Sequence, residues 1–419
     1  MKENAKVAAI ERILVNLYAA SVCLSPLGPV VHYVLWAICL VLMTFSRIKY
    51  GVPFCLKNVD RTGKIVLACW GALSLWTIVA GLLTFHDLES YGSNASIFLE
   101  VTFGMYLAAR FFACERNRQK LMRLFVWASL LILLGNWLRV MGVIGYFPNR
   151  SLQNGNALGL LGILLLPPLV CTAFWRVQNW LLRSIVIAVP CLVIFFSFSS
   201  GAWLAAVAGG LVLLCRLLKF KKLKISFVLG LLAGLLALGI LVDERTGGKV
   251  MDRFMEEYRQ VTAVKDLSSF TTCRDEIWRA SLYMIGQRPL TGWAGTKYAD
   301  LYRHLYNTQA KTVGLEKQTS GFHPHMTFLY VPFLAGIPGL LIFLISLGLS
   351  LKKAVCLFQY EDSESYPWGT LLFSLFLTVL VYGLTGDVFV GRRDISVMFW
   401  CFWGVLLVLP QRSSSSDER

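Results

Sequence analysis

Charge is what this chain has least of for its size: only 15% of its 419 residues are Asp, Glu, Lys or Arg, against 56% hydrophobic and 13% aromatic. No soluble core absorbs that proportion, so the composition is that of a chain whose solvent is lipid. Acidic residues are scarce, 24 against 40 basic, and the net charge is +16. In a soluble protein such an excess would suit nucleic acid. Here the Lys and Arg fall between apolar runs rather than on one basic face with stacking aromatics, so no nucleic-acid partner is expected. The eleven Cys show no CxxC spacing and most lie inside apolar runs, as small buried hydrophobes do. A cleavable signal is lacking as well. The first apolar stretch leads into a second without a small-residue cleavage site and reads as a retained span.

What is present is a series of apolar runs. A helix needs about twenty apolar residues to cross a bilayer, and runs of that order occur near 10–25, 29–46, 64–84, 95–113, 121–145, 156–174, 179–197, 201–218, 225–242, 325–350, 367–386 and 394–410. The fold class expected is therefore all-α, a polytopic membrane protein of about 12 transmembrane helices forming a single membrane domain over 1–419. Lys and Arg collect in alternate loops, for example Arg47, Lys49, Lys57, Arg61 and Lys64, or Arg216, Lys219, Lys221, Lys222 and Lys224. The short loops on the other side hold only Arg150, Arg392 and Arg393. Cytoplasmic loops retain positive charge, so both termini are expected in the cytoplasm.

One connection is long. Residues 243–324 carry mixed charge, and the alternation places them outside the cytoplasm. Val250, Phe254, Tyr258 and Val261 suit a helix on the membrane surface. Thr272 with Asp275 starts a second helix that Gln287-Arg288-Pro289 ends, and Gly292-Trp293-Ala294-Gly295 reads as a turn. The polar residues of 411–419 read as a disordered cytoplasmic tail.

Chemistry is sought where this loop re-enters the membrane. Two of only five His, His323 and His325, stand there in Gly321-Phe322-His323-Pro324-His325-Met326-Thr327. A His at such a boundary, with a pKa near neutrality, either accepts a proton from a hydroxyl nucleophile or simply hydrogen-bonds a neighbour. Metal ligation is disfavoured, because adjacent Cys ligands are absent and carboxylates are few. Arg274 sits in the first turn of the second loop helix, as a cradle for a pyrophosphate or as a partner of Asp275 or Glu276. Arg279 and Arg288 are weaker candidates of the same kind. Arg392 and Arg393 break the positive-inside pattern beside Asp387 and Asp394, either for use or as a local salt bridge. Arg139 and Glu100, expensive in lipid, are expected to face the bundle interior or an interface.

These residues carry a resemblance. His325 with Leu329, Gly336 and Gly339 resembles the His-Asn-x-x-Leu-x6-Gly-x-x-Gly segment of the bacterial O-antigen ligase and polymerase superfamily. Asn154-Gly-Asn-Ala-Leu-Gly159, Ser199-Ser-Gly-Ala-Trp-Leu204, and Arg274-x3-Trp278 with Pro289-Leu-x-Gly292 resemble three further segments in family order, over roughly 60–410 in all. The resemblance implies a membrane glycosyltransferase of the bacterial inner membrane with its active site in the periplasm. Its donor would be an undecaprenyl-diphosphate-linked glycan, its acceptor lipid A–core, and it would use no metal and no cofactor. It implies that His325 is the general base, with His323 auxiliary, and that Arg274 binds the donor diphosphate. Two departures stand out: Met326 replaces a small polar residue, and Ser200 replaces the family's second phosphate-binding Arg. Arg392 and Arg393 are the leading substitutes for that Arg, with Arg150 and Arg279 in reserve. Ligase is the first reading and a polymerase using the same donor the alternative. A transporter is the remote third, since paired Gly/Pro-broken spans in corresponding halves are not found.

Overall fold

The computed structural model describes residues 2–54, 56, 58–140, 154–223, 274–315, 323–388 and 392–410, with scattered positions between 230 and 259. Among these residues it is all-helical, without strands, and forms thirteen helices. They are α1 (Lys2–Leu24), α2 (Pro29–Tyr50), α3 (Arg61–Leu83), α4 (Leu88–Phe111), α5 (Glu115–Val140), α6 (Gly155–Arg176), α7 (Trp180–Phe196) and α8 (Ser200–Lys219), then α9 (Arg274–Gln287), α10 (Tyr298–Val313), α11 (Thr327–Gln359), α12 (Trp368–Gly383) and α13 (Arg393–Val408). Eleven of the twelve expected runs coincide with helices. The run 225–242, the surface helix near 250–261, the cap at Thr272, the tail, Arg150 and the side chain of Arg139 lie outside the described residues. Six helices, α1, α2, α3, α6, α8 and α11, are long and apolar enough to cross a membrane, and α7 and α12 are shorter apolar helices. The protein is a multi-pass membrane protein.

Two packed pairs frame the bundle. α11 lies on α3 and α12 on α8, while α13 crosses α4 and fills the centre. Small residues allow close approach: a Cβ on Gly404 would strike α4 at Met105 and Ala108, and one on Gly209 would strike Thr378 of α12. Where the helices diverge, aromatic side chains fill the space, with Trp70 edge-on to Trp403 at 5.3 Å and to Phe343 at 6.0 Å.

The bundle has two distinct ends. At one, Lys353 of α11 donates to Asp60, the N-cap of α3, at 2.7 Å and to the Leu407 carbonyl of α13 at 3.0 Å. Arg216 near the end of α8 pairs at that end with Glu361, just before α12, at 3.5 Å. Arg110 at the end of α4 pairs with Glu11 of α1 at 2.6 Å. This end carries the Lys and Arg clusters. At the other end lie the starts of α4, α6, α8, α11 and α13, together with the loop helices α9 and α10.

α10 is a helix that the sequence reading did not anticipate. Its buried Tyr298, Tyr302 and Leu305 are spaced four and three apart, the period of one helical face.

The loop is locked to the bundle through a break in α11. Gly336 has φ +64° and ψ −173°, a conformation that L side chains rarely adopt, and Pro338 follows it. The break frees backbone groups that the loop satisfies. Trp293 N–H donates to the Phe333 carbonyl at 2.7 Å, and Ile337 N–H donates to the Pro289 carbonyl at 2.7 Å. Trp76 Nε1–H of α3 donates to the Ala335 carbonyl at 2.8 Å. The turn 291–295 is thus held against α11. Gly292, at φ +65°, has no room for a Cβ because the Phe333 carbonyl and Gly336 N would lie 2.6 and 2.7 Å from it. From the far side Asn94 of α4 donates to the carbonyls of Ala294 and Thr296 at 2.9 and 3.2 Å. The expected turn therefore exists, and its glycines serve close backbone contact.

Candidate functional site

His325 lies two residues before α11, at φ +53°, in the left-handed region, with extended Met326 as N-cap. Strain at a non-glycine residue persists only where the surroundings fix it. They do so here through Thr327, whose hydroxyl donates to the Gly386 carbonyl at 3.3 Å and accepts from Val388 N–H at 3.4 Å. The His323 ring sits 4.2 Å from that of His325 and stacks on Tyr330 at 6.0 Å. Among the described residues His323 Nδ1 is buried without a hydrogen-bond partner.

The same segment, 385–388, receives Arg274. Its Nη1 donates to the Thr385 carbonyl at 2.6 Å, so the start of α9 is pinned to the end of α12. Gly201 packs on Thr385 from the other side, which puts Ser200, the first residue of α8, beside this junction. α6 joins through Asn156. Its carbonyl accepts from Tyr382 Oη at 2.9 Å, and its side-chain oxygen accepts from Ser199 Oγ at 3.0 Å. Tyr382 in turn stands within electrostatic reach of Arg274, Arg392 and Asp387. Five helix starts, those of α6, α8, α9, α11 and α13, border this region, and a helix start carries a partial positive charge.

These charges act on the histidines. Burial, then the Arg274 and Arg392 charges, push His325 down to about 4, and burial, His325 and Arg392 push His323 down to about 3. The expected near-neutral pKa is corrected accordingly: both rings are neutral at pH 7, with a free nitrogen lone pair.

The two neighbouring arginines separate. Arg392 faces the histidines and forms no ion pair among the described residues. Arg393 turns the other way. It pairs with Glu100 of α4 at 2.7 Å, and it also donates to Ser96 Oγ at 3.1 Å and to the Ser93 carbonyl. Its partner is thus Glu100 rather than the adjacent Asp residues, and Glu100, which also accepts from Tyr33 Oη at 2.9 Å, faces an interface as expected. Arg279 is placed roughly 140° around α9 from Arg274 and pairs with Asp275 at 3.0 Å on an exposed face. Arg288 lies over the Trp293 ring at 4.3 Å. No three His, Cys, Asp or Glu side chains converge among the described residues.

The structure therefore brings together His325, His323, Arg274, Arg392 and the Ser200 position, and leaves Arg393 and Arg279 in ion pairs of their own. Sequence reasoning missed Tyr382, Thr385 and Tyr330, which lie in or beside apolar runs and carry no local signal. Asn156 was within reach, inside the Asn154–Gly159 segment.

A neutral imidazole lies here among converging helix starts and the guanidinium groups of Arg274 and Arg392, in a multi-pass membrane protein. Comparison with known proteins is consistent with that class. Residues 184–344 match the family model of O-antigen ligase. The match takes in Ser199–Leu204, Arg274, Pro289–Gly292 and the His325–Gly339 spacing, and it supports the O-antigen ligase and polymerase superfamily, a family of glycosyltransferase-like membrane enzymes. It is narrower than 60–410 and leaves Asn154–Gly159 and Arg392 outside. No curated protein matches the chain.

Proposed function

We propose that this protein is an O-antigen ligase that transfers a glycan from undecaprenyl diphosphate to lipid A–core on the periplasmic face of the inner membrane. The observation that carries this reading is the placement of Arg274 and Arg392 within electrostatic reach of one neutral His325. The diphosphate of the donor takes the two guanidinium groups and the helix starts around them. His325 accepts the proton of the acceptor hydroxyl as that oxygen bonds to the anomeric carbon. The bond from that carbon to the phosphate oxygen breaks, and the electron pair leaves on undecaprenyl diphosphate, whose growing charge Arg274 and Arg392 stabilise. The proton then passes from His325 to the released diphosphate or to water.

Binding of the donor also strengthens the base. Burial, together with two guanidinium charges, holds His325 at about 4 in the free protein; a bound diphosphate offsets the charge part, so the imidazole becomes more basic when the acceptor arrives. Ser200 stands where the family carries Arg, and Arg392, from another helix, supplies the missing charge.

The lipopolysaccharide ladder of a deletion strain tests the reading. A ligase leaves bare core and an accumulation of long polymer on undecaprenyl diphosphate. Core bearing a single repeat would instead make the protein a polymerase, and an unchanged ladder would exclude both.

A further inference from the structure

A cavity lies at the basic end of the bundle, away from His325. It has a volume of about 530 Å³ and is walled by α1, the end of α4 and the start of α5. Five basic side chains line it, Arg12, Arg110, Arg116, Lys120 and Arg123, against one carboxylate, Glu11. Arg110 already holds Glu11 at 2.6 Å, and among the described residues the other four basic groups form no ion pair. The excess of positive charge in this cavity is therefore uncompensated by ion pairs among the described residues.

The cavity does not end in solvent alone. Gln119 and Arg123 also line a neighbouring cavity of about 320 Å³ between α5, α6 and α7, whose walls include Met122, Val126 and Leu130 from α5 and Leu182 and Val186 from α7. From its wall outward α5 stays apolar and exposed at Trp127 (62%), which lines the cavity, and at Leu131 (66%) and Leu134 (51%). A polar cationic chamber thus opens beside an apolar groove, and Arg123 belongs to both. A free anion would be served by the chamber alone. An amphiphile with an anionic head is served by both parts, and basic pockets between helix ends are the usual recognition device for such lipids.

We infer that these joined cavities form a binding site for an anionic glycerophospholipid, with its phosphate among Arg12, Arg116, Lys120 and Arg123 and an acyl chain along the α5–α7 groove. The lipid belongs to the leaflet opposite the His325 site and is distinct from donor and acceptor. Bound there, it would tie α1, α4 and α5 together at the end where Arg110 of α4 pairs with Glu11 of α1.

Native mass spectrometry of the full-length protein in detergent tests this, with phosphatidylglycerol, phosphatidylethanolamine, the chainless headgroup glycerophosphoglycerol and inorganic pyrophosphate as probes. Phosphatidylglycerol is expected to be retained over phosphatidylethanolamine. Lys120→Gln with Arg123→Gln, both exposed and outside the His325 site, should weaken that retention roughly 30-fold, the effect of losing two basic side-chain charges near the headgroup. Lys219→Gln with Lys221→Gln removes two charges elsewhere at the same end and should leave retention within about twofold, since the charge contribution falls off with distance. Equal retention of the two lipids, an equal loss in the Lys219/Lys221 pair, or binding of pyrophosphate or glycerophosphoglycerol as strong as that of the intact lipid would each overturn the inference.

Discussion

Arg274 and His325, 51 positions apart in the chain, are fastened to one short segment: Arg274 Nη1 donates to the Thr385 carbonyl at 2.6 Å, and Thr327, two residues after His325, bonds to Gly386 and Val388 at 3.3 and 3.4 Å. The spacing of Arg274 and His325, the proposed diphosphate ligand and base, therefore depends on residues 385–388 rather than on the long loop between them.

The two histidines should differ in sensitivity. His325→Ala should abolish glycan transfer with insertion and folding intact, whereas His323→Ala, which removes a ring lying against His325 and stacked on Tyr330, should retain a measurable fraction. Single-turnover transfer by the two purified variants decides this, and a greater loss in His323→Ala would reverse the assignment.

Arg392 and Arg393 should fail in different ways. Arg392→Ala should lower transfer by roughly two to three orders of magnitude, as for one oriented charge lost from a transition-state site, with little effect on stability. Ser200→Arg in that background should restore part of the rate, because position 200 borders the Thr385 junction. Arg393→Ala leaves Glu100 without its main partner in a part-buried pair, at a cost of about 1–3 kcal/mol, less than for a fully buried one. It should lower thermal stability in detergent, and Glu100→Gln in the same chain should recover much of the loss.

The break in α11 should be intolerant of side chains. Gly336→Ala adds strain at positive φ and drives a Cβ into the Leu290 carbonyl, so it should cost about 1–3 kcal/mol. Unfolding monitored by tryptophan fluorescence should show it, because Trp293 and Trp76 hydrogen-bond at that break. A wild-type midpoint would contradict the lock.

The pH profile has a definite sign. Burial and two guanidinium groups depress His325 to about 4 in the free protein, so kcat/KM, which reports the free enzyme, should fall on acidification only as pH drops through about 4. The acid limb of kcat reports the donor-bound form and should lie at higher pH, since the diphosphate offsets Arg274 and Arg392. Limbs at the same pH would remove the proposed donor effect on the base.

Much of this architecture was legible in the sequence and part of it was not. Apolar run length found eleven helices because the bilayer sets one length for each. It misjudged edges where charged flanks continue the helix, as in α4 and α11. Spacing from His325 to Gly336 and Gly339 was visible, but the reason for it, a break that accepts the Pro289–Trp293 turn, required the fold. Arg392 and Arg393 were indistinguishable as neighbours because what separates them is Glu100, 293 residues away in the chain. Tyr382 and Thr385 were hidden in an apolar run, where a hydroxyl near a helix end has no pattern of its own.

Orientation is checked by reporter fusions, which should be cytoplasmic after Lys222 and extracytoplasmic after Thr312. α10, which contains Thr312, lies at the His325 end of the bundle. The reverse pattern would put His325 in the wrong compartment for this donor and acceptor.

The most direct test is reconstituted transfer: purified protein, undecaprenyl-diphosphate-linked glycan and lipid A–core, with wild type compared against His325→Ala and Arg274→Ala of equal monodispersity. Wild type should join glycan to lipid A–core, His325→Ala should join none, and Arg274→Ala should do so at a rate lower by orders of magnitude. Transfer by His325→Ala at the wild-type rate would contradict it.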